Sequence, residues 1–382
     1  MGSRHPDSAT VFVSFGSRFD KTPWFVAQRR LVALVSPEGP PHSAAMSDGA
    51  SRPVVVWLVL AAAMVFIMAV IGAITRLTES GLSMVEWRPL IGALPPLSEA
   101  DWQRLFAEYR ATPEFRKLNA WMQLDDFKTI FWWEYIHRLW GRLIGLVFAL
   151  PLAWFWWRDR LPSWLKPWLL LALALGGLQG IVGWWMVASG LVDAPHVSHY
   201  RLAAHLGLAV LVYGLLLALA ERLVPAPLLP ASRGLRRMSA SLIAFAFVVI
   251  LSGALVAGLD AGLVYDTFPL MGGQWIPDEV RLADDVGTFL STPAAVQFLH
   301  RWLAKLLALG IFVFWGMARR ESLAPAQRIP LDVLAAMAAV QVGLGILTLL
   351  FHVPVSLATA HQAGALILFG LLVWCAGRLR RL

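Results

Sequence analysis

Eight stretches of the chain are apolar over about the 20 residues that a helix needs to cross a bilayer. They run over 54–75, 130–157, 167–188, 200–220, 238–258, 293–317, 331–350 and 354–376. In lipid every backbone polar group must be satisfied within the protein, so a run of this kind can span only as a helix. The sequence therefore predicts an all-α integral membrane protein with eight transmembrane helices. Composition agrees: 58% of the 382 residues are hydrophobic and 15% are charged, too apolar for a soluble domain of this size. Many of the 19 Trp fall near span ends, among them Trp132, Trp133, Trp154, Trp156, Trp157, Trp184 and Trp185, as an interfacial aromatic belt requires. A single cysteine, Cys375, excludes an intrachain disulfide.

The first fifty residues mix Arg, Ser, Pro and Gly without a sustained period, and read as a disordered extension or an over-extended start, with Met46 an alternative first residue. They contribute to the net charge of +8, which is no sign of nucleic-acid binding. The connections after spans two, four and six, and the tail with Arg378, Arg380 and Arg381, are short and basic. Those after spans one, five and seven are acidic, balanced or nearly uncharged, so the positive-inside rule places both termini in the cytoplasm and the long loops outside. The first outer loop, 76–129, contains a helix-like piece from Ser98 to Arg110, with Ser98 as its N-cap. His196, His199 and His352 fall in outer loops and read as solvated.

The chain repeats itself. Glu134-Tyr135-Ile136-His137-Arg138, with Arg142 four residues on, returns as Gln297-Phe298-Leu299-His300-Arg301, with Lys305 four residues on. Gly72-Ala73 and Glu79-Ser80-Gly81-Leu82 return as Gly253-Ala254 and Asp260-Ala261-Gly262-Leu263. Gln179-Gly180-Ile181-Val182-Gly183 answers to Gln341-Val342-Gly343-Leu344-Gly345, and the surroundings of His205 answer to those of His361. Beyond the first fifty residues this divides the chain into halves, 51–225 and 226–382, each a bundle of four spans. Four is an even number, so the tandem bundles point the same way, related by a pseudo-two-fold axis along the membrane normal.

His137, His205, His300 and His361 each fall five to seven residues after the outer start of a span, about 8 to 10 Å down a helix rising 1.5 Å per residue. Ionisable groups inside a span are functional-site candidates, and one bis-histidine haem per half accounts for all four. Structural or proton-relay histidines are the other reading. Gly176, Gly177, Gly180 and Gly183, with Gly343 and Gly345, admit a flat macrocycle or simply a neighbouring helix. Arg138, Arg142, Arg301 and Lys305 are expected at the outer boundary, as partners of haem propionates or as snorkelling cations. One difference separates the halves: Glu134 stands where the second half has Gln297. A carboxylate relays a proton and an amide does not, which makes Glu134 the candidate catalytic group and the second half the electron-transferring one.

These residues resemble a known family. The run Phe131-Trp132-Trp133-Glu134-Tyr135-Ile136-His137-Arg138 is similar to the glutamate-histidine-arginine signature of haem A synthase. Thr75-Arg76-Leu77-Thr78-Glu79-Ser80-Gly81-Leu82-Ser83 and Phe127-Lys128-Thr129-Ile130 resemble its proteobacterial and mitochondrial branch, the one without a cysteine pair in the first outer loop. The resemblance runs from about Val54 to the C-terminus. It implies oxidation of the methyl group at carbon 8 of haem O to a formyl group by successive hydroxylations, giving haem A for cytochrome oxidase. It also implies that His137 and His205 hold the substrate haem O, that Glu134 is essential, and that His300 and His361 ligate haem b. The implied partners are haem O synthase (protohaem farnesyltransferase), an electron donor such as ferredoxin, the oxidase assembly machinery and membrane lipid. The implied location is the bacterial inner membrane, with the haem sites towards the periplasm. A di-haem b-type cytochrome taking electrons from quinol would use the same four histidines without needing the Glu134/Gln297 difference, and a repeat-built transporter is a third class.

Overall fold

The computed structural model describes residues 48–86, 94–191 and 195–380. The extension expected over residues 1–50 lies outside them but for its last three residues, which are helical. Eight long helices, α1 Asp48–Leu77, α2 Leu124–Trp157, α3 Lys166–Val187, α4 His199–Leu223, α5 Arg233–Gly258, α6 Pro293–Arg319, α7 Pro325–Leu350 and α8 Val355–Arg378, are each long and apolar enough to cross a membrane. The chain is a multi-pass helical membrane protein.

Local chemistry sets several of the boundaries. Pro occupies the first turn of α3, α6 and α7, where its missing N–H costs no hydrogen bond. The Ser232 hydroxyl caps α5 by accepting from Leu235 N at 3.1 Å. The loop helix Glu99–Arg110 is capped by Ser98, which accepts from Asp101 N at 3.1 Å as expected. α1, α2 and α7 each start six residues earlier than expected, and at α2 the extension bears on the site. Asp126 accepts from Gln123 N at 2.9 Å to cap the extra turns. Their aromatic face then docks the loop: Phe127 and Phe131 pack with Trp102, Phe106, Tyr109 and Phe115, and Tyr109 stacks on Phe127 with ring centres 5.3 Å apart.

Within each half the helices form a closed ring. α1 meets α2, α2 meets α3, α3 meets α4 and α4 returns to α1; α5 to α8 do the same. Between the halves α1 meets α8, α4 meets α5, and α4 meets α8. Exchanging each helix of one half with its counterpart in the other leaves this set of pairings unchanged. The buried core runs along α4 and α8, through Val210, Leu216, Leu366 and Leu372. Gln362 donates to Ala69 O at 2.8 Å, tying α8 to α1 near the level of the histidines. At the opposite end of the helices the buried Glu221 carboxylate of α4 meets Arg378 of α8 at 3.3 Å.

The repeat extends to the backbone. Glu79 after α1 and Asp260 after α5 both adopt left-handed conformations, φ 51° and 49°, at equivalent positions. A non-glycine residue rarely takes this conformation. In each half it turns the chain back over the bundle, burying Ser80 and Leu82 in one loop and Ala261 and Gly262 in the other. The two loop starts are joined directly by the ion pair of Arg76 with Asp260, 2.8 Å.

Candidate functional site

The four histidines lie on helices that are diagonal within their rings: His137 on α2 and His205 on α4, His300 on α6 and His361 on α8. Neither diagonal pair is in extended contact, so each pair looks into the interior of its own bundle. The other diagonal supplies glycine. A Cβ on Gly72 of α1 would stand 3.2 Å from His137 Nε2, and one on Gly183 of α3 would stand 2.9 Å from His205 Cε1. In the second half a Cβ on Gly253 of α5 would be 3.1 Å from His300 Cε1, and one on Gly345 of α7 would be 2.9 Å from His361 Cε1. Each imidazole thus lies in a place only hydrogen leaves open. Gly176, Gly177, Gly180 and Gly343 meet nothing within 4 Å, so of the small residues noted in the sequence only Gly183 and Gly345 serve the histidines.

Two glutamines stand beside the histidines of α4 and α8. Gln179 Nε2 lies 3.2 Å from His205 Nδ1 and donates to His205 O at 3.0 Å. Gln341 Nε2 lies 3.1 Å from His361 Nδ1 and donates to His361 O at 2.9 Å. His300 is contacted at Nδ1 by the Ser252 hydroxyl, 2.9 Å. His137 has no such partner among the described residues, and lies within electrostatic reach of His205.

These residues fit a haem. The ring centres of His300 and His361 are 6.3 Å apart with planes at 88°. Two imidazoles on one metal ion through bonds of about 2 Å hold their ring centres about 6 to 6.5 Å apart. No group of three or more His, Cys, Asp and Glu able to hold a metal ion gathers among the described residues. A metal whose other ligands come from a porphyrin needs only such a facing pair.

The carboxylate that distinguishes the halves is tied to the first outer loop. Glu134, 2% exposed, accepts from Ser83 Oγ at 2.7 Å and Met84 N at 2.8 Å through Oε2, and pairs with Arg138 at 2.5 Å through Oε1. Arg138 also donates to Met84 O at 2.8 Å and Glu86 O at 3.1 Å. In the second half Gln297 donates to Tyr265 O at 2.9 Å, and Arg301 to Tyr265 O at 2.7 Å and Thr267 O at 2.8 Å. Both arginines donate to loop carbonyls, so the two clamps have opposite polarity at one residue only: Glu134 receives hydrogens from its loop and Gln297 gives them. Arg142 and Lys305 follow their histidines by five residues, about 7.5 Å further along the helix from the loops that Arg138 and Arg301 clamp. Lys305 lies over the Trp302 ring at 3.7 Å. His199, expected in a loop, is the first residue of α4, while His352 is exposed and paired with Asp266 at 3.0 Å.

One buried acid of the loop gave no signal in the sequence. Glu114 accepts from Tyr109 Oη at 3.0 Å, and Asn119 donates to the same Oη at 2.8 Å. Burial pushes the Glu114 carboxyl up to about 8 against the favourable Tyr109 bond, and Glu134 and Glu79 nearby add to the rise.

Residues 55–373 match the model of the COX15-CtaA family, described as cytochrome oxidase assembly protein. The chain belongs to that family. A Rhodospirillum centenum member named heme A synthase is 51% identical over 91% of this chain and 93% of its own length. Members of the same name from Nitrosospira multiformis and Maricaulis maris are each 48% identical, covering 86% and 88% of this chain. The COX15-CtaA match covers both halves of the repeat and so takes in all four histidines and both loop clamps.

Proposed function

We propose that the chain oxidises the methyl group at carbon 8 of haem O to a formyl group by successive hydroxylations, yielding haem A for cytochrome oxidase. It is an oxidoreductase of haem A biosynthesis, the activity for which its relatives are named. One observation carries the division of labour: two like histidine pairs, with a buried carboxylate, Glu134, three residues from the histidine in one half only. In this reading residues 51–225 form the substrate half, with His137 and His205 on haem O. Residues 226–382 form the second half, with His300 and His361 on haem b.

When bound, haem b supplies one-electron chemistry beside the substrate. The chain's own part is to bind and orient. Gly72, Gly183, Gly253 and Gly345 let the imidazoles stand at their helix partners, while Gln179 and Gln341 hold the backbone carbonyls of His205 and His361. To the loop segment that Glu134 and Arg138 clamp, around Ser83 and Met84, we assign the shielding of the substrate half from water. Glu134 Oε2 is the atom placed to accept a proton, with the Ser83 hydroxyl as its neighbour. Arg142 and Lys305 are the cations we assign to propionates, whereas Arg138 and Arg301 act through the loops. A farnesylated porphyrin enters laterally from lipid after its synthesis by haem O synthase, and a ferredoxin-type donor supplies electrons. The basic connections place both termini in the cytoplasm of a bacterial inner membrane and the haem sites towards the periplasm.

The test is pigment extraction from purified wild type and Glu134→Gln after co-expression with a source of haem O. Haem A with haem B in wild type, and haem O with haem B in the variant, is the expected result. Haem B alone in both, with haem O confirmed in the membranes, would overturn the reading in favour of a di-haem electron carrier.

A further inference from the structure

The halves differ a second time, beside the histidine of α6. Ser252 Oγ lies 2.7 Å from Val249 O and 2.9 Å from His300 Nδ1. A hydroxyl has one proton, and a carbonyl oxygen can only accept. The Ser252 proton therefore belongs to Val249 O, and what Oγ presents to His300 is a lone pair. The hydrogen of that second contact must then come from the ring, so Nδ1 carries it and Nε2 is left with a free lone pair, the form a metal ion requires. The repeat register that matches Gly72 with Gly253 matches Ser252 with Ile71. Ile71 offers His137 no acceptor. The ring of His137 is also turned differently, its Nε2–Cδ2 edge facing Gly72 where His300 turns its Cε1–Nδ1 edge to Gly253. Gln179 and Gln341 stand at matching positions beside the other two histidines, Gln179 Nε2 within 3.3 Å of both ring nitrogens of His205 and Gln341 Nε2 3.1 Å from Nδ1 of His361.

We propose that Ser252 is a positioning residue that makes the second-half site a permanent one, by locking His300 in its metal-binding tautomer and strengthening it as a ligand to ferric iron. Ile71 leaves His137 unlocked, which suits a site that must take in a substrate and release a product. The inference rests on the reading that His300 and His361 hold a haem. An oxygen accepting the distal N–H of a ligating imidazole raises its strength as a donor, and partners of this kind are commonly worth 10- to 100-fold in metal affinity. Ligand donation stabilises the ferric over the ferrous state, so losing it moves the potential upward.

The experiment uses full-length protein in detergent, as wild type, Ser252→Ala, Ser252→Thr and Ile71→Ser, with His300→Ala as the control for the site itself. Three quantities are read: haem B retained after prolonged washing, the one-electron midpoint potential, and the low-spin ferric spectrum. Ser252→Ala is expected to retain less haem B. A tenfold loss of ferric preference would raise its potential by about 59 mV. Ser252→Thr, which keeps the hydroxyl, is expected to restore both values, and Ile71→Ser, whose hydroxyl would meet the Nε2–Cδ2 edge of His137, to leave the second-half potential unchanged. Wild-type potential and retention in Ser252→Ala would overturn the proposal. Haem B unaffected by His300→Ala would instead overturn the haem assignment on which it rests.

Discussion

Replacing Glu134 by Gln is close to isosteric, yet the structure sets a definite cost on it. Both carboxylate oxygens face donors: Oε2 faces Ser83 Oγ and Met84 N, and Oε1 faces the Arg138 guanidinium. An amide has one oxygen. If it faces the loop, its NH2 meets the guanidinium; if it faces Arg138, its NH2 meets the Met84 N–H. Either orientation sets donor against donor and loses at least one hydrogen bond to a charged group, worth about 1.5–3 kcal/mol. That raises the opening constant of the clamped segment about 10- to 150-fold. Hydrogen–deuterium exchange of peptides covering residues 80–86 reads this directly, since Met84 N is one of the donors. The reciprocal Gln297→Glu sets a carboxylate against the carbonyls of Gly262 and Tyr265, 3.4 and 2.9 Å from the present amide nitrogen, and is expected to loosen residues 262–270 to a similar degree. Ser83→Ala separates loop from chemistry, because it removes one loop contact and keeps the carboxylate. Exchange at 80–86 unchanged in Glu134→Gln, or at 262–270 unchanged in Gln297→Glu, would refute the idea of clamps with opposite polarity.

Three further outcomes follow from the same geometry. Gly183→Ala is expected to displace His205 and Gly345→Ala to displace His361, each emptying one pigment site while sparing the other; Gly180→Ala and Gly343→Ala, which meet open space, are controls that should leave both pigments in place. Glu114 holds its proton more tightly in the folded loop than an ordinary carboxyl of 4.5 does, so the packed loop is favoured fully below that value and loses this contribution as pH rises through about 8. Limited proteolysis within 99–119 should therefore speed up over that interval in wild type and remain flat in Glu114→Gln, in a setting where Tyr109, Asn119, Glu134, Glu79 and Arg76 are the neighbouring groups. Glu221→Ala leaves the buried Arg378 charge without its carboxylate, and breaking a buried pair in this way costs about 3–5 kcal/mol. Its melting temperature should drop clearly below wild type, and an unchanged value would show that the link between α4 and α8 contributes nothing.

Much of this architecture can be read from the sequence because lipid imposes long uniform runs. The eight spans, the histidines on alternate helices and the register of the repeat are all periodic or pairwise features. The pairing of Gln179 with Gln341 is visible as repetition, although its meaning, a hydrogen bond to the next helix's histidine, appears only when α3 meets α4 and α7 meets α8. The outer loop is a different case. Ser83 and Met84 reach Glu134 from some fifty residues away through a non-periodic segment, and the Tyr109–Glu114–Asn119 chain sits in a loop whose composition is merely polar and aromatic. Arg138 belongs to the same case: a cation one residue after a candidate ligand histidine suggests a propionate partner, and only the fold shows loop carbonyls at its guanidinium.

Duplication alone would give two equal sites, so function must reside in the positions where the halves disagree. Two of these, Glu134/Gln297 and Ile71/Ser252, stand at equivalent positions of the repeat, the first three residues before His137 and His300 and the second one residue before Gly72 and Gly253. Where the carboxylate is present the histidine is unlocked; where the amide is present a serine locks it. A site that processes its porphyrin needs a proton acceptor and must let the product go, and a site that only passes electrons needs neither but must not lose its iron. In the proposed assignment each half carries the combination that serves one of these needs and opposes the other. Removing the serine alone is therefore expected to produce a mixed half, Ser252→Ala giving a resident site that leaks.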